Sequence, residues 1–227
     1  MTPSNPKSAK GEAAPDPAAG EATPRSRLSH LWEQFSTLAL AILIALAIRG
    51  LVVEPFRIPS GSMLPTLLIG DHLFVSKFSY GPRIPFSDWR LPGLREPRRG
   101  DVVVFQVARG DGRKFHPNRI FPVDEHPDLP RDDFVKRLVG LPGDRIAVVD
   151  GSVYVNDERM PIEDTSAFHI DETGRSLRVQ TEQLGECRHA VLDDPAFRRG
   201  TERREFVVPE GHYFMMGDNR DYSNDSR

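Results

Sequence analysis

The stretch Ile58-Pro-Ser-Gly-Ser-Met-Leu-Pro-Thr-Leu67 divides the chain into an apolar amino-terminal part and a remainder of short apolar segments. Residues two apart in an extended segment point the same way, so the Ser60 and Ser62 hydroxyls are predicted to face one cleft. Gly61 between them lets another backbone approach closely. One hydroxyl could attack a carbonyl carbon while the other, with a backbone N–H, stabilises the oxyanion. A plain Ser/Gly/Pro turn is the alternative that these ten residues leave open.

An apolar run precedes this stretch. Residues 35–53 contain few polar side chains, and as an α-helix they would be about 28 Å long, close to the hydrocarbon thickness of a bilayer. We therefore predict a single transmembrane anchor at 35–53, with Trp32 at one interface and Arg49 snorkelling at the other end. The alternatives are a buried core helix and a signal peptide cleaved after Ala47, for which the preceding region is too long.

Composition bounds the remaining possibilities. The first 27 residues are rich in Pro, Ala, Ser and Glu, and residues 1–34 are predicted to be a disordered tail, which the resemblance described below places in the cytoplasm. A net charge of −3 gives no indication of a nucleic-acid partner. Cys187 is the only cysteine, which excludes an intrachain disulfide, and no two histidines have the spacing of helical metal ligands. We predict neither a metal nor a cofactor.

The rest of the chain is predicted to be mainly β. Residues 134–139 form an apolar strand pattern, and Asp150-Gly151 between two apolar segments is a strong hairpin signal. The catalytic β domain is predicted in two parts, residues 54–160 and 206–227. The charged and weakly patterned residues 161–205 between them are predicted to be an insertion or a satellite subdomain.

Lys136 stands out because it lies in an apolar strand. A period of two places it on one face with Phe134 and Leu138. Loss of water around the ammonium favours the neutral amine and lowers its pKa, and a desolvated lysine can replace histidine as the base for a serine. The alternative is a lysine that reaches water at the edge of a sheet.

The carboxyl-terminal residues 217–227 read GDNRDYSNDSR. Asp and Arg at this density, after an apolar strand, suit a buried polar network that holds a site rigid. A solvated turn is the alternative.

Taken together, these segments resemble the motif blocks of bacterial type I signal peptidases, which are Ser/Lys-dyad peptidases. The order, the spacing and the preceding membrane span match as well. The resemblance implies one transmembrane helix followed by an antiparallel β-rich catalytic domain of the signal peptidase and repressor-protease type. It rests on Ile58–Leu67, on Lys136-Arg137 followed by Gly140-Leu-Pro-Gly-Asp144, and on Gly217–Arg227.

The resemblance also implies a role for each matching residue. Ser62 would be the nucleophile and Lys136 its general base, while the Ser62 N–H and the Ser60 hydroxyl would form the oxyanion hole. The remaining roles are orientation of the lysine by Ser223, support of the site through ion pairs by Asp218, Asp225 and Arg227, and shallow pockets for small residues lined by Ile58, Met63 and Val135.

The implied function is a membrane-bound endopeptidase that removes signal peptides from secretory preproteins after Ala-x-Ala sites. The family works on the outer face of the cytoplasmic membrane, which implies a cytoplasmic amino terminus and contact with the lipid bilayer; the Lys and Arg residues near the span are balanced. One alternative is a self-cleaving Ser/Lys repressor-type protease, against which the span argues. Another is an inactive membrane-tethered binding module, favoured if the chain is truncated at Arg227, because family members usually continue with a further strand.

Overall fold

The computed structural model describes residues 27–81, 89, 91–116, 119–123, 125–197 and 203–227. The chain divides between Leu46 and Ala47 into two compact units. Of the tail predicted at residues 1–34, residues 1–26 lie outside the described part of the chain.

The amino-terminal helix α1 covers Arg27–Leu51. Within it, Leu31–Gly50 is long and apolar enough to cross a membrane, and none of that window is buried in the structure. The predicted apolar helix is therefore confirmed, but it begins at Arg27 rather than Phe35, because no Gly or Pro lies between Arg27 and Arg49. It ends two residues before the predicted boundary because Val53 already pairs with Ser76 in a β ladder.

The remainder is built from antiparallel strands, which confirms the mainly β prediction. In chain order they are β1 Val53–Arg57, β2 His72–Ser76, β3 Val102–Arg109, β4 Ile120–Phe121, β5 Arg131–Gly140, β6 Arg145–Val149, β7 Ser152–Val155, β8 Glu158–Arg159, β9 Ile162–Ile170, β10 Ser176–Leu184, β11 Cys187–Asp193, β12 Arg204–Val207 and β13 Phe214–Met216. Across the described residues they form four sheets, with the orders β1-β2, β13-β5-β3-β4, β12-β6-β7-β8 and β11-β10-β9.

The hairpin predicted at Asp150-Gly151 joins β6 to β7. Both turn residues have positive φ, 44° for Asp150 and 77° for Gly151. A tight turn of this handedness matches the twist of the two strands, and Gly adopts it without steric cost. The local sequence therefore sets the register of this pair.

Residues 161–205, predicted to be an insertion or a satellite subdomain, contribute side chains to the shared core, and their status as a separate part stays a prediction. Strand β10 sends Leu184 into the main hydrophobic cluster, beside Val139 and Ile146. Leu177 and Leu192 pack with Leu64, which lies two residues after Ser62. The sheet of β9 to β11 therefore supports the same core as the rest of the domain. Its buried positions are hard to read from sequence because charged residues alternate with them.

Strand β11 also holds the carboxyl-terminal loop through its backbone. The Leu192 N–H donates to the Asp218 carbonyl at 2.8 Å, and the Arg220 N–H donates to the Leu192 carbonyl at 3.0 Å. The loop that follows β13 is thus fixed against the β9–β11 sheet.

We predict that Leu192→Ala lowers the free energy of unfolding of the full chain by about 2–5 kcal/mol, because it opens a cavity at a fully buried position. Chemical denaturation in detergent, followed by circular dichroism, measures this. Val207→Ala is the control, since Val207 is 67% exposed, and should change stability by less than about 0.5 kcal/mol. An unchanged midpoint for Leu192→Ala would contradict the packing described for the β9–β11 sheet.

Candidate active site

Ser62 lies in the short 3₁₀ turn Gly61–Met63, directly after the extended residue Ser60. The turn is held from both ends: Met63 is buried, and the Asn219 N–H donates to the Ser62 carbonyl at 3.1 Å. The Asn219 side-chain amide donates to the Gly61 carbonyl at 3.0 Å. The two serine hydroxyl oxygens are 3.4 Å apart. They come together through this turn, and not through the continuous extended segment that the sequence predicted.

Lys136 projects from β5 toward the same point. Its Nζ and the Ser62 Oγ share a hydrogen bond of 2.6 Å, and the residue is only 3% exposed. Nζ also lies 5.3 Å from the centre of the Phe134 ring. Alternation along β5 places Phe134 and Lys136 on one face, as the sequence predicted.

Burial lowers the pKa of Lys136 to about 8, well below the usual lysine value. The neighbouring Asp225 and Asp218 carboxylates oppose this by favouring the charged ammonium, while the Arg227 guanidinium reinforces it. Loss of solvation outweighs the two carboxylates. About a tenth of the amine is therefore neutral at pH 7 and about half at pH 8, and this neutral form can accept a proton.

Asp218 forms a buried ion pair with Arg137. The guanidinium donates to both carboxylate oxygens, with distances of 2.8 Å from Nε and 2.6 Å from Nη2, and Asp218 is fully buried. Arg137 also donates to the Gly100 carbonyl at 2.8 Å, and Thr66 donates its hydroxyl to Asp218. Sequence reasoning named Asp218 but missed Arg137 and Thr66. The available signal was the position of Arg137, next to Lys136 and on the opposite face of an apolar strand.

Asp225 pairs with Arg227 two residues later. The guanidinium reaches the two carboxylate oxygens at 2.8 Å and 2.7 Å, and the Gly217 N–H donates to Asp225 at 3.0 Å. Burial alone would raise the pKa of Asp225, but the hydrogen bonds and charge of Arg227 lower it. Asp225 is therefore a carboxylate at the pH at which Lys136 titrates.

Ser223 is half-buried next to the site, and its hydroxyl oxygen is enclosed. That oxygen makes no hydrogen bond to Lys136; it lies toward the Asp225 carboxylate, whose pKa it helps to lower. A Cβ placed on Gly217 would lie 2.3 Å from the Ser223 Oγ and 2.5 Å from the Ser62 carbonyl oxygen. Only glycine fits between these two serines, and the orientation of the lysine by Ser223 stays a prediction.

A second buried ion pair, which the sequence did not indicate, joins the β9–β11 sheet to this loop. Arg220 donates to both oxygens of Glu182, with 2.8 Å between Nη1 and Oε1. The charge of Arg220 outweighs the burial of Glu182 and lowers its pKa to about 2. The His189 Nε2 lies 3.4 Å from the same carboxylate and 3.8 Å from Asp218, so the two buried pairs are adjacent.

Ser62 and Lys136 open onto a cleft of about 800 Å³. The apolar residues Ile58, Met63 and Val135 pack together as one cluster beside the two polar groups, and all three line the cleft. In the described part of the chain, no group of three or more His, Cys, Asp or Glu side chains is arranged to hold a metal ion. The arrangement can deprotonate a serine hydroxyl next to a shallow apolar surface.

Comparison with known proteins identifies the family of this chain. The family model described as signal peptidase, peptidase S26, matches residues 31–227. Several relatives are named signal peptidase I. The one from Pseudomonas aeruginosa is 38% identical, and the match covers 94% of this chain and 67% of the relative. The one from Pseudomonas fluorescens is 39% identical, and the match covers 82% of this chain and 58% of the relative. The one from Rickettsia prowazekii is 35% identical over 86% and 72%. The chain belongs to the signal peptidase family, peptidase S26, and spans 58% to 72% of the length of these three relatives.

We expect Arg137→Met to lower the free energy of unfolding by about 3–5 kcal/mol, because it leaves the Asp218 carboxylate buried and unpaired. The matched control is Arg188→Met, which breaks an ion pair whose arginine side chain is 62% exposed and should cost less than about 1 kcal/mol. Denaturation of the full-length variants in detergent gives both values. Equal effects of the two substitutions would show that the buried pair is not a special support of the site.

Proposed function

We propose that the chain is a membrane-anchored serine endopeptidase that removes signal peptides from secretory preproteins, with Ser62 as nucleophile and Lys136 as general base. The observation that carries this proposal is the 2.6 Å contact between a nearly buried amine and a hydroxyl that lines a cleft. Membership of the signal peptidase family supports the peptidase activity.

The proposed reaction begins when neutral Lys136 takes the proton of the Ser62 hydroxyl and Oγ attacks the scissile carbonyl carbon. The oxyanion of the tetrahedral intermediate accepts hydrogen bonds from the Ser62 N–H and the Ser60 hydroxyl, whose oxygen is 3.4 Å from the nucleophile. Lys136 then gives its proton to the leaving amine, and the C–N bond breaks to leave an ester on Ser62. The neutral amine next deprotonates a water molecule, whose oxygen attacks the ester carbonyl; the C–O bond to Ser62 breaks, Lys136 returns the proton to the Ser62 oxygen, and the acid is released.

The other predicted site residues act by position in this scheme. Asp225 and Arg227 hold the loop after β13 beside Lys136, while Asp218 with Arg137 holds the backbone that bonds to the Ser62 turn. Ser223 orients the lysine. The apolar cluster of Ile58, Met63 and Val135 is the contact surface for small side chains, which accounts for an Ala-x-Ala preference before the cut. The chemistry needs no cofactor or metal.

The proposed location is the outer face of the cytoplasmic membrane, with α1 as a single-pass anchor and the amino terminus in the cytoplasm. Only a few residues separate the end of α1 at Leu51 from the serines, which keeps the reaction close to the bilayer. Phe74 on β2 is 77% exposed and Leu68 is 50% exposed, and exposed apolar side chains of this size suit a lipid contact.

We predict that Ser62→Ala and Lys136→Met each lower cleavage of an Ala-x-Ala preprotein by about a thousandfold or more, because the nucleophile and its base act as a unit. Gel analysis of preprotein processing in detergent micelles measures this. Lys77→Met is the matched control, since Lys77 pairs with Glu54 outside the cleft and should retain activity. Substantial cleavage by either dyad variant would reject the assignment.

We predict that kcat/KM rises with pH and levels off above about pH 8, because only the neutral Lys136 amine accepts the serine proton. Stability should change over the same titration. Between about pH 8 and the unfolded lysine pKa the unfolded chain binds one proton more than the folded chain, so the free energy of unfolding rises with pH, by at most about 3 kcal/mol.

Lys136→Met provides the control for the stability change, because it removes the titrating amine. The variant should lose this rise while remaining at least as stable as the parent at pH 7. A pH–stability curve identical to that of the parent would contradict the burial of a charged lysine.

A further inference from the structure

The edge of β5 changes partner at the active site. Strand β3 pairs with β5 along one edge from Arg131 to Arg137. On the other edge, β13 pairs only with residues from Arg137 to Gly140. Within the described part of the chain, the edge from Arg131 to Val135 is therefore unpaired and opens into the cleft.

This change of partner divides the cleft. Val135 on the open edge, together with Ile58 and Met63, forms the apolar surface that the proposed function assigns to residues before the cut. Past Lys136 the edge is occupied by β13, so the polypeptide after the cut cannot continue along β5. It must leave over the loop that follows β13, where Tyr222 lines the cleft.

The turn between β9 and β10 forms the wall on that side. Asp171, Glu172, Thr173 and Arg175 line the cleft, and the Arg175 guanidinium stacks on the Tyr222 ring at 3.7 Å from its centre. The Asp171 carboxylate accepts hydrogen bonds from the Thr173 and Arg175 N–H groups, each at 2.9 Å, and from the Arg175 Nε at 2.7 Å. The turn is therefore a fixed surface.

Charge is balanced within this turn except at Glu172. Asp171 and Arg175 neutralise each other, whereas Glu172 is exposed and no described residue makes a hydrogen bond or ion pair with its carboxylate. On the side before the cut the net charge is zero: Arg109 pairs with Asp132, and Arg131 and Asp133 add one charge of each sign without forming an ion pair. Apart from the Lys136 amine at the reacting centre, the uncompensated charge among these lining residues is that of Glu172, on the side that receives residues after the cut.

We propose that the turn of residues 171–175 binds the segment that follows the scissile bond, and that Glu172 makes this side of the cleft prefer cationic over anionic side chains. The inference rests on the proposed function and adds a selectivity to it. The ligand class is the first few residues of the mature chain. A Lys or Arg in this segment would strengthen its binding, and an Asp or Glu would weaken it.

The test uses peptides with one common Ala-x-Ala part and with Lys, Gln or Glu at the second to fourth positions after the cut. At low ionic strength the full-length protein should cleave the Lys peptide about two- to fivefold more efficiently than the Glu peptide, because an exposed charge pair contributes little more than this. The difference should appear in KM and not in kcat, since Glu172 lies away from the reacting atoms.

Glu172→Gln should abolish the preference and Glu172→Lys should reverse it. Glu186→Lys is the matched control, because it makes the same charge change on the exposed turn between β10 and β11, outside the cleft, and should keep the parent's preference. A preference unchanged in Glu172→Lys, or equally altered in Glu186→Lys, would overturn the inference while leaving the proposed function intact. If none of the peptides is cleaved, the proposed function fails and this inference fails with it.

Discussion

The burial of the Lys136 amine against the Ser62 hydroxyl is the constraint on which the rest of this structure depends. An ammonium removed from water is unstable, so every element around it must either exclude solvent or hold the amine beside its partner. Strand β5 excludes solvent by flanking Lys136 with Phe134 and Leu138. The 3₁₀ turn at Gly61–Met63 holds the amine beside its partner, because it presents the Ser62 hydroxyl at 2.6 Å from the Lys136 Nζ.

Two buried ion pairs keep the turn in that place. Arg137 leaves the opposite face of the same strand and binds Asp218, and Arg220 in the same loop binds Glu182 of β10. The loop after β13 is thereby fixed to two different sheets, and its Asn219 bonds to the backbone at Gly61 and Ser62. Such pairs add little net stability, since desolvation offsets the attraction, but breaking one leaves a buried charge. Their contribution is to fix one geometry.

Local patterns in the sequence predicted much of this arrangement. Uniform apolarity identified α1, the Asp150-Gly151 dipeptide identified the β6–β7 hairpin, and alternation along β5 placed Lys136 on an apolar face. The partners of Asp218 and Glu182 could not be predicted, because those pairs join residues 81 and 38 positions apart and form only in the folded chain. The buried position of Glu182 in the β9–β11 sheet was missed for the same reason, because a glutamate is buried there only with Arg220 beside it.

The central claim is that burial lowers the pKa of the Lys136 amine, and a direct titration of its side-chain nitrogen tests this. The full-length protein, labelled with ¹⁵N at the lysine ε position, would be followed by NMR across pH, with Lys136→Met used to assign the signal. The account predicts a midpoint near pH 8 for Lys136. A midpoint near the ordinary lysine value of about 10.4 would contradict it.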